Sequence, residues 1–187
     1  MKLYVARHGQ TVWNAQNKVC GITDIELTKK GIEQAKELAA TVQNYNIDIV
    51  LSSPLKRAVE TSKIVADKNN IAMRIEERLV EQNYGIYEGV DRKNDSFLAN
   101  KRNFAYKYPQ GESMMQVAYR IYGLLDKIKE QYQGKNILII CHGGVCRVIR
   151  TYFKDMTNDE FFNYTLENGK LEQYELKEAC NPLKMNK

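Results

Sequence analysis

Hydrophobic and polar positions follow two patterns that alternate along the chain. Short hydrophobic runs predict buried strands, and longer segments with hydrophobic residues every three or four positions predict helices. Their alternation predicts an α/β fold, a three-layer sandwich in which helices flank a mostly parallel central sheet. The predicted elements are a strand at Lys2–Arg7, a helix over residues 28–45, a strand at 47–51, a helix beginning at Ser53, an edge strand at 71–75, a helix at 113–131, a strand at 136–140 and a helix at 144–153.

Local signals mark the starts of three of these helices. Thr28 is a predicted N-cap, and Ser113 with Gln116 fits a capping box. Ser53 followed by Pro54 predicts an N-cap and a first helical residue.

The C-terminal part of the chain carries a strong turn signal. Asn168-Gly169 separates the hydrophobic segments 163–166 and 171–176. An Asn-Gly pair between two such segments predicts a C-terminal β-hairpin.

Residues 84–110 follow neither pattern. A stretch of about two dozen residues is long for a connection within a compact domain. It supports two interpretations, a short lid over an anionic substrate or a short helical excursion with a solvated basic face. Residues 91–108 hold five cations (Arg92, Lys93, Lys101, Arg102, Lys107), two anions (Asp91, Asp95) and the aromatic residues Phe97, Phe104, Tyr106 and Tyr108.

Composition is that of an ordinary globular protein, and the 187 residues predict a single domain over 1–187 with the lid as a subregion. No hydrophobic run approaches the roughly 20 residues that span a bilayer, and the N-terminus lacks a signal-peptide pattern, so we expect a cytoplasmic protein without membrane contact. The net charge of +5 suits an anionic ligand. No nucleic-acid-binding signature accompanies it, so no nucleic-acid partner is expected.

The four cysteines show no paired metal-ligand spacing. Cys141 and Cys146 flank a His-Gly-Gly turn, whereas Cys20 and Cys180 stand alone. We therefore expect reduced thiols and no metal site.

The chain has only two histidines, and both occupy the same context. His8 follows the first predicted strand and precedes Gly9, and His142 follows the strand at 136–140 and precedes Gly143. Because the carboxyl ends of parallel strands form one edge of the sheet, we expect the two imidazoles to lie close together.

Two arginines point to an anion at the same edge. Arg7 precedes His8, and Arg57 lies with Lys56 near the start of a helix, where cations are locally unfavourable. A bound phosphoryl group would compensate that cost. The chain contains no Walker-type glycine loop and no evident magnesium-binding carboxylate cluster. A neutral histidine can attack phosphorus and form a covalent intermediate, so His8 is a predicted nucleophile.

The ordered set of motifs resembles the histidine phosphatase superfamily, also called the phosphoglycerate-mutase-like family. One RHG triplet would be weak evidence, but the series runs in family order along nearly the whole chain. It comprises RHGQTVWN at residues 7–14, GITDIELT at 21–28, SSPLKRA at 52–58, Glu81 within LVEQNYG at 79–85, GES at 111–113 and CHGG at 141–144.

The resemblance implies a role for individual residues. His8 would be the phosphorylated nucleophile, and Arg7, Arg57 and His142 would bind the transferring phosphoryl group. Glu81 would protonate the leaving oxygen and then activate water, a role that rests on the resemblance alone. Further phosphate- or substrate-binding residues are expected at Asn14, Gln10, Thr11, Cys20, Gly21 and Gly143, with weaker expectations for Tyr84, Lys101 and Arg102.

The favoured function is metal-independent hydrolysis of a small phosphate ester, without a cofactor. Sugar phosphates, nucleotide-derived phosphates and phosphorylated cofactor precursors all stay open as substrates, as do a monomer and a homodimer. The first alternative is a phosphoglycerate mutase that depends on bisphosphoglycerate. Mutases of the family usually carry a longer insertion with paired arginines, where this chain offers only Lys101-Arg102. The second alternative is a non-catalytic module that binds phosphate ligands.

Overall fold

The computed structural model describes residues 1–176. Its central sheet has five strands in the order β3-β2-β4-β1-β5. The first four strands are parallel, and β5 runs antiparallel to β1. The elements are β1 Lys2–Arg7, α1 Val12–Ala15, α2 Lys29–Val42, β2 Ile49–Ser52, α3 Lys56–Asn69, β3 Ala72–Ile75, two 3-10 turns at Glu77–Leu79 and Gly85–Tyr87, α4 Asp95–Lys101, α5 Met114–Gln131, β4 Ile137–Cys141, α6 Gly143–Phe153, α7 Asn158–Asn163 and β5 Leu171–Glu175.

The central strands β1, β2 and β4 are buried on both faces of the sheet, which is why β1 and β4 read as continuous hydrophobic runs. Leu3 and Val5 of β1 face the core formed with α5 and α6. Tyr4 and Ala6 face the opposite core, formed with α2 and α3. Successive side chains of a strand point to opposite faces, so one strand serves both layers. The predicted α/β fold with a mostly parallel sheet is confirmed.

Most predicted boundaries agree with the structure. Thr28 caps α2, where its Oγ1 accepts a hydrogen bond from the Gly31 N–H at 3.0 Å. Ser113 and Gln116 form the expected capping box. The predicted edge strand is β3, at the end of the sheet. Within residues 1–176, no helix combines the length and hydrophobicity needed to cross a bilayer.

The prediction that Ser53 caps the next helix is wrong. Leu55 is the N-cap residue, and α3 begins at Lys56. The Ser53 hydroxyl instead lies 2.7 Å from Nε2 of His142 and also accepts a hydrogen bond from the Leu55 N–H. The Ser53 side chain, which the local pattern predicts as a helix cap, therefore contacts His142 instead.

The predicted C-terminal hairpin is also wrong. Residues 163–166 form no strand. Asn163 is the last residue of helix α7, which begins after a capping box at Thr157, and residues 164–166 have no regular secondary structure. β5 pairs with β1 and completes the sheet. The Asn168-Gly169 turn persists, with Gly169 at φ +73°, and it holds the end of β1 by donating to the carbonyls of Arg7 and His8.

The lid, residues 84–110, contains one short helix, α4, joined by turns. Its buried side chains Tyr84, Phe97 and Tyr108 pack with Val19 in a small cluster separate from the two main cores. Backbone hydrogen bonds join the lid to the loop after α1, for example between Val19 N–H and the Val90 carbonyl at 2.8 Å. Arg92 and Lys101 face a cavity beneath the lid, whereas Lys93, Arg102 and Lys107 are exposed. The segment is thus a short helical excursion with exposed cations, and its role as a lid over a substrate stays a prediction.

Candidate active site

The two imidazoles meet at the carboxyl edge of the sheet. His8 directly follows β1 and His142 directly follows β4, which are neighbouring parallel strands. Their ring centroids lie 5.0 Å apart. Nε of Arg57 lies 3.3 Å from Nε2 of His8 and 3.2 Å from Nδ1 of His142, so one guanidinium joins both rings. All three side chains are buried.

The contacts of His8 fix its tautomer. Nδ1 lies 2.6 Å from the carbonyl oxygen of Gly9. Since a carbonyl can only accept, Nδ1 carries the proton, and Nε2 presents its lone pair to the N–H of Arg57. Burial first, and then the charges of Arg57 and Arg7, hold the pKa of His8 well below its usual value. His8 is therefore a neutral imidazole at neutral pH, with the lone pair on Nε2 facing the Nε of Arg57.

His142 has the opposite tautomer. Its Nδ1 faces the donor Nε of Arg57 and must accept, so the proton sits on Nε2 and is donated to the Ser53 hydroxyl at 2.7 Å. Burial, followed by the charge of Arg57, holds its pKa well below the usual range. Ser53 thus orients the second imidazole from the far side.

Arg57 is held on both of its terminal nitrogens. Nη2 donates to the Gly21 carbonyl at 2.6 Å and Nη1 to the Thr23 carbonyl at 2.9 Å. The Glu88 carboxylate binds the same loop from the lid side. It accepts hydrogen bonds from the N–H groups of Ile22 at 2.8 Å and Thr23 at 2.9 Å. The loop over residues 21–23 therefore fixes the guanidinium against the histidines.

Glu81 and Arg7 line the same cavity as His8. Glu81 is 4% exposed, and its carboxylate accepts the N–H of Gln82 at 2.8 Å and that of Gly144 at 2.9 Å. A Cβ on Gly144 would lie 2.6 Å from Oε1 of Glu81, so a larger residue there would displace the carboxylate. Arg7 donates from Nη1 to the Leu166 carbonyl at 2.9 Å, while its buried Nε has no partner within residues 1–176.

These groups border a cavity of about 100 Å³ beneath the lid. Four cationic side chains and a single carboxylate, that of Glu81, lie in its wall. Such a wall suits an anion of phosphate size with a small organic group. The lining residues are Arg7, His8, Asn14, Val19, Cys20, Glu81, Tyr84, Arg92, Phe97, Lys101, Gly143, Gly144, Arg147 and Thr165.

Comparison with known proteins decides the family. The chain matches the histidine phosphatase superfamily (branch 1) over residues 3–186. The chain belongs to this superfamily. The resemblance seen in its motifs is thereby confirmed.

Relatives of this chain carry different names. It is 34% identical over 152 residues to a protein of Yersinia pestis named probable phosphoglycerate mutase GpmB, which covers 76% of this chain and 70% of that one. The structure of Bacillus stearothermophilus YhfR superposes with a TM-score of 0.84 at 28% identity, over 94% of this chain and 91% of that one. The Entamoeba histolytica phosphoserine phosphatase, solved with 3-phosphoglyceric acid, gives 0.80 at 29% identity over 92% and 89%.

Several residues predicted to bind substrate lie in the cavity wall, namely Arg7, His8, Asn14, Cys20, Glu81, Tyr84, Lys101 and Gly143. Arg57 and His142 are not part of the wall. Nε of Arg57 hydrogen-bonds to both His8 and His142 behind it. Within residues 1–176, no group of three or more His, Cys, Asp or Glu side chains is placed to hold a metal ion. Cys20, Cys141 and Cys146 are free thiols, and Cys180 lies outside the described residues.

Four predicted binding residues lie outside the cavity. Gln10 accepts a hydrogen bond from the Thr28 hydroxyl at 3.0 Å, and Thr11 caps α1. Gly21 contributes only the carbonyl that holds Arg57. Arg102 turns away to pair with Asp159 at 2.9 Å and lies over the ring of Phe162, so its assignment to substrate is wrong.

Sequence reasoning missed two cations of the cavity, Arg92 and Arg147. Arg147 is 7% exposed and lies within a buried apolar stretch of α6, between Cys146 and Val148. A charged residue inside such a hydrophobic stretch is a signal that could have identified it. Arg92 carries no comparable signal, because nothing in the sequence separates it from the exposed Lys93 beside it.

Proposed function

We propose that this chain hydrolyses a small phosphate ester without a metal ion, through a phosphohistidine formed on His8. The observation that carries the proposal is the state of His8, neutral at neutral pH, with its proton held on Nδ1 by Gly9 and its lone pair on Nε2. An imidazole in this state is a nucleophile.

In the proposed reaction, Nε2 of His8 attacks phosphorus while the bond from phosphorus to the ester oxygen breaks. Glu81 donates the proton that the leaving alkoxide needs. Glu81 then takes a proton from water, whose oxygen attacks the phosphohistidine and releases inorganic phosphate and the free imidazole. Arg57, Arg7 and His142 stabilise the equatorial oxygens of the phosphoryl group in both transition states. The positive charge that a metal would supply comes from guanidinium groups.

Hydrolysis of p-nitrophenyl phosphate in the presence of EDTA tests this proposal. We expect wild-type activity to be indifferent to the chelator, and His8→Ala to lose at least about 10³-fold in kcat/KM. Arg102→Gln is the matched control, because its side chain is exposed and points away from the cavity. Loss of activity on chelation would contradict the metal-free mechanism. Inactivity of the wild type on a broad panel of esters would favour the non-catalytic binding module.

One comparison favours a second candidate function. The 34% identical relative is named a probable phosphoglycerate mutase, and a mutase would use the same nucleophile. In that case the phosphoryl group passes from His8 to a bound phosphoglycerate instead of to water. Conversion of 3-phosphoglycerate to 2-phosphoglycerate that depends on 2,3-bisphosphoglycerate would support the mutase. Release of inorganic phosphate without that isomerisation would support the hydrolase.

A further inference from the structure

The loop that follows β1 carries the nucleophile, and its backbone is held from several directions. Each backbone N–H and each carbonyl of residues 8–10 has a hydrogen-bond partner. The partners outside the loop belong to β4, to the turn before β5 and to the two helices α2 and α3 with the cap of α2. They are the Cys141 carbonyl, Asn168, Thr61, Gln34 and the Thr28 N–H. The conformation of the loop is therefore fixed along its whole length.

One peptide unit of this loop, between Gly9 and Gln10, acts directly on the nucleophile. Its carbonyl oxygen accepts the proton on Nδ1 of His8 at 2.6 Å. Its N–H, on the opposite side of the same unit, donates to Oε1 of Gln34 at 2.8 Å. Because a peptide unit is planar, a partner that holds the N–H also sets the direction of the carbonyl. A hydrogen bond to the N–H also polarises the unit and makes its carbonyl a better acceptor.

The preceding peptide unit is held by a buried hydroxyl. Oγ1 of Thr61 accepts the Gly9 N–H at 3.1 Å and donates to the Arg57 carbonyl at 2.7 Å. Thr61 therefore ties the loop to α3, the helix that carries Arg57. Since Nε of Arg57 faces Nε2 of His8 at 3.3 Å, the partners of both ring nitrogens are fixed relative to each other.

Helix α2 reaches the loop through two glycines. A Cβ on Gly9 would lie 2.2 Å from the Gly31 carbonyl oxygen, and a Cβ on Gly31 would lie 2.1 Å from the Gln10 carbonyl oxygen. The two backbones are therefore in direct contact, which no larger residue at either position allows. Gln34 lies three residues after Gly31 on the same face of α2, so its amide is delivered to the Gln10 N–H.

The hydrogen bond on Nδ1 becomes stronger as the proposed reaction proceeds. When Nε2 of His8 bonds to phosphorus, the ring gains a positive charge that it shares with the Nδ1–H group. A hydrogen bond from a charged donor is shorter and stronger than one from a neutral donor. The Gly9 carbonyl therefore stabilises the transition state for transfer more than it stabilises the resting enzyme.

We propose that Gln34 and Thr61 are positioning residues for phosphoryl transfer, which act on His8 through the backbone of Gly9. Neither side chain lines the cavity, so their effect should fall on the rate of transfer and leave the binding of the ester unchanged. This inference rests on the proposed function, since it concerns the same nucleophile.

Substitutions at Gln34 test the proposal in rapid-quench kinetics with p-nitrophenyl phosphate. Gln34→Met keeps the length of the side chain and removes the acceptor. We expect the single-turnover rate of phosphoryl transfer at saturating ester to fall by about tenfold, with an unchanged half-saturating concentration, since one hydrogen bond contributes about that factor. Gln34→Glu keeps an oxygen acceptor and should keep most of the rate. Gln43→Met, at the exposed end of α2, is the control and should match the wild type.

Thr61 offers a second pair of variants. Thr61→Val removes the hydroxyl and keeps the shape of the side chain, so it should slow transfer as Gln34→Met does, whereas Thr61→Ser should not. Thr61→Val also leaves two buried backbone groups without a partner and should lower the melting temperature. If it does not fold, the Gln34 pair decides. A wild-type rate in folded Gln34→Met would overturn the proposal, as would an equal loss in Gln34→Met and Gln34→Glu.

Nuclear magnetic resonance of the unliganded protein separates this inference from the proposed function. The chain has only two histidines, so ¹⁵N-labelled imidazoles give two N–H signals, from Nδ1 of His8 and Nε2 of His142. In Gln34→Met, the His8 proton should move upfield and exchange faster with water, while the His142 proton, which Ser53 holds, stays unchanged. Unchanged signals, or an equal change in both, would overturn the proposal. A change confined to His8 in a protein that hydrolyses no ester would contradict the hydrolase and leave the positioning of His8 standing.

Discussion

The sheet side of the cavity carries His8 and His142 on the ends of two neighbouring parallel strands, whereas the lid side carries Arg92 and Lys101 on a loop and a short helix. On the sheet side, the histidines hydrogen-bond to Arg57. On the lid side, cations face each other without carboxylate partners within residues 1–176. The sheet side carries the groups to which the proposed function assigns the chemistry, whereas the lid side carries positive charge that a bound anion would compensate.

The largest expected effect comes from the residue that joins the two imidazoles. Arg57→Ala removes a donor from both rings and a positive charge from the phosphoryl site, so kcat/KM should fall by about 10³-fold on every ester. The exposed Lys56, one residue earlier on the same helix, supplies the control Lys56→Ala, which should leave kcat/KM unchanged. Steady-state kinetics on p-nitrophenyl phosphate measure both, with the melting temperature as the check on folding. A small loss in a folded Arg57→Ala variant would refute the assigned role.

Glu81→Gln should show an effect that depends on the leaving group. A glutamine cannot protonate the leaving oxygen, so single-turnover phosphoryl transfer from glycerol 3-phosphate should slow by about 10²-fold. Transfer from p-nitrophenyl phosphate, whose leaving group needs no proton, should slow far less. Rapid-quench kinetics measure phosphoryl transfer from both esters. Glu77→Gln on the exposed 3-10 turn is the control. An equal loss on both esters would argue that Glu81 acts as something other than the acid.

The buried histidines make stability depend on pH. Their pKa values lie well below 6.5 in the folded chain, so below that pH the unfolded chain binds more protons. The free energy of unfolding should therefore fall as the pH drops through 6.5, by up to about 1.4 kcal/mol per pH unit for each histidine. Denaturant titrations between neutral and acidic pH measure this slope, and His142→Gln should make it shallower. An unchanged slope would contradict the neutral, buried state of His142.

The smallest expected effect is an increase in stability on the lid side. Burial, followed by repulsion from Arg147 and Arg92, lowers the pKa of Lys101 to about 8 in the folded chain, against 10.5 for an unperturbed lysine. Its charged form therefore destabilises the fold at neutral pH. Lys101→Met should raise the melting temperature at neutral pH by about 2 °C, a gain that shrinks as the pH rises from 8 toward 10.5. Arg102→Met, which removes an exposed ion pair, should not. A lower melting temperature in Lys101→Met would show that the charged form of Lys101 does not destabilise the fold.

The same contrast explains which features can be predicted from the sequence. The positions of His8 and His142 follow from two hydrophobic runs, because neighbouring parallel strands bring the residues after them to one edge of the sheet. The local pattern at Ser53 fits a helix cap equally well, and only the packing of His142 against its hydroxyl decides between the two roles. The C-terminal strand is predicted with the wrong partner, because its true partner, β1, lies some 170 residues away in the chain.

Lid residues are harder to predict for a related reason. Arg92 and Lys93 are neighbours with the same charge, yet one lines the cavity and the other is exposed. Short elements that pack through a small aromatic cluster carry no periodic pattern from which to read a direction. Lys101, an expected binding residue, faces the cavity, but Arg102 beside it does not.

Trapping the covalent intermediate tests the central claim most directly. Glu81→Gln should accumulate phosphoryl enzyme on a good leaving group, because transfer to His8 proceeds while the activation of water is impaired. After a rapid alkaline quench with a radiolabelled aryl phosphate, we predict an acid-labile, alkali-stable label that maps to the peptide containing His8 and is missing from His8→Ala. Turnover by the wild type with no label on His8, or with a label on another residue, would contradict the account.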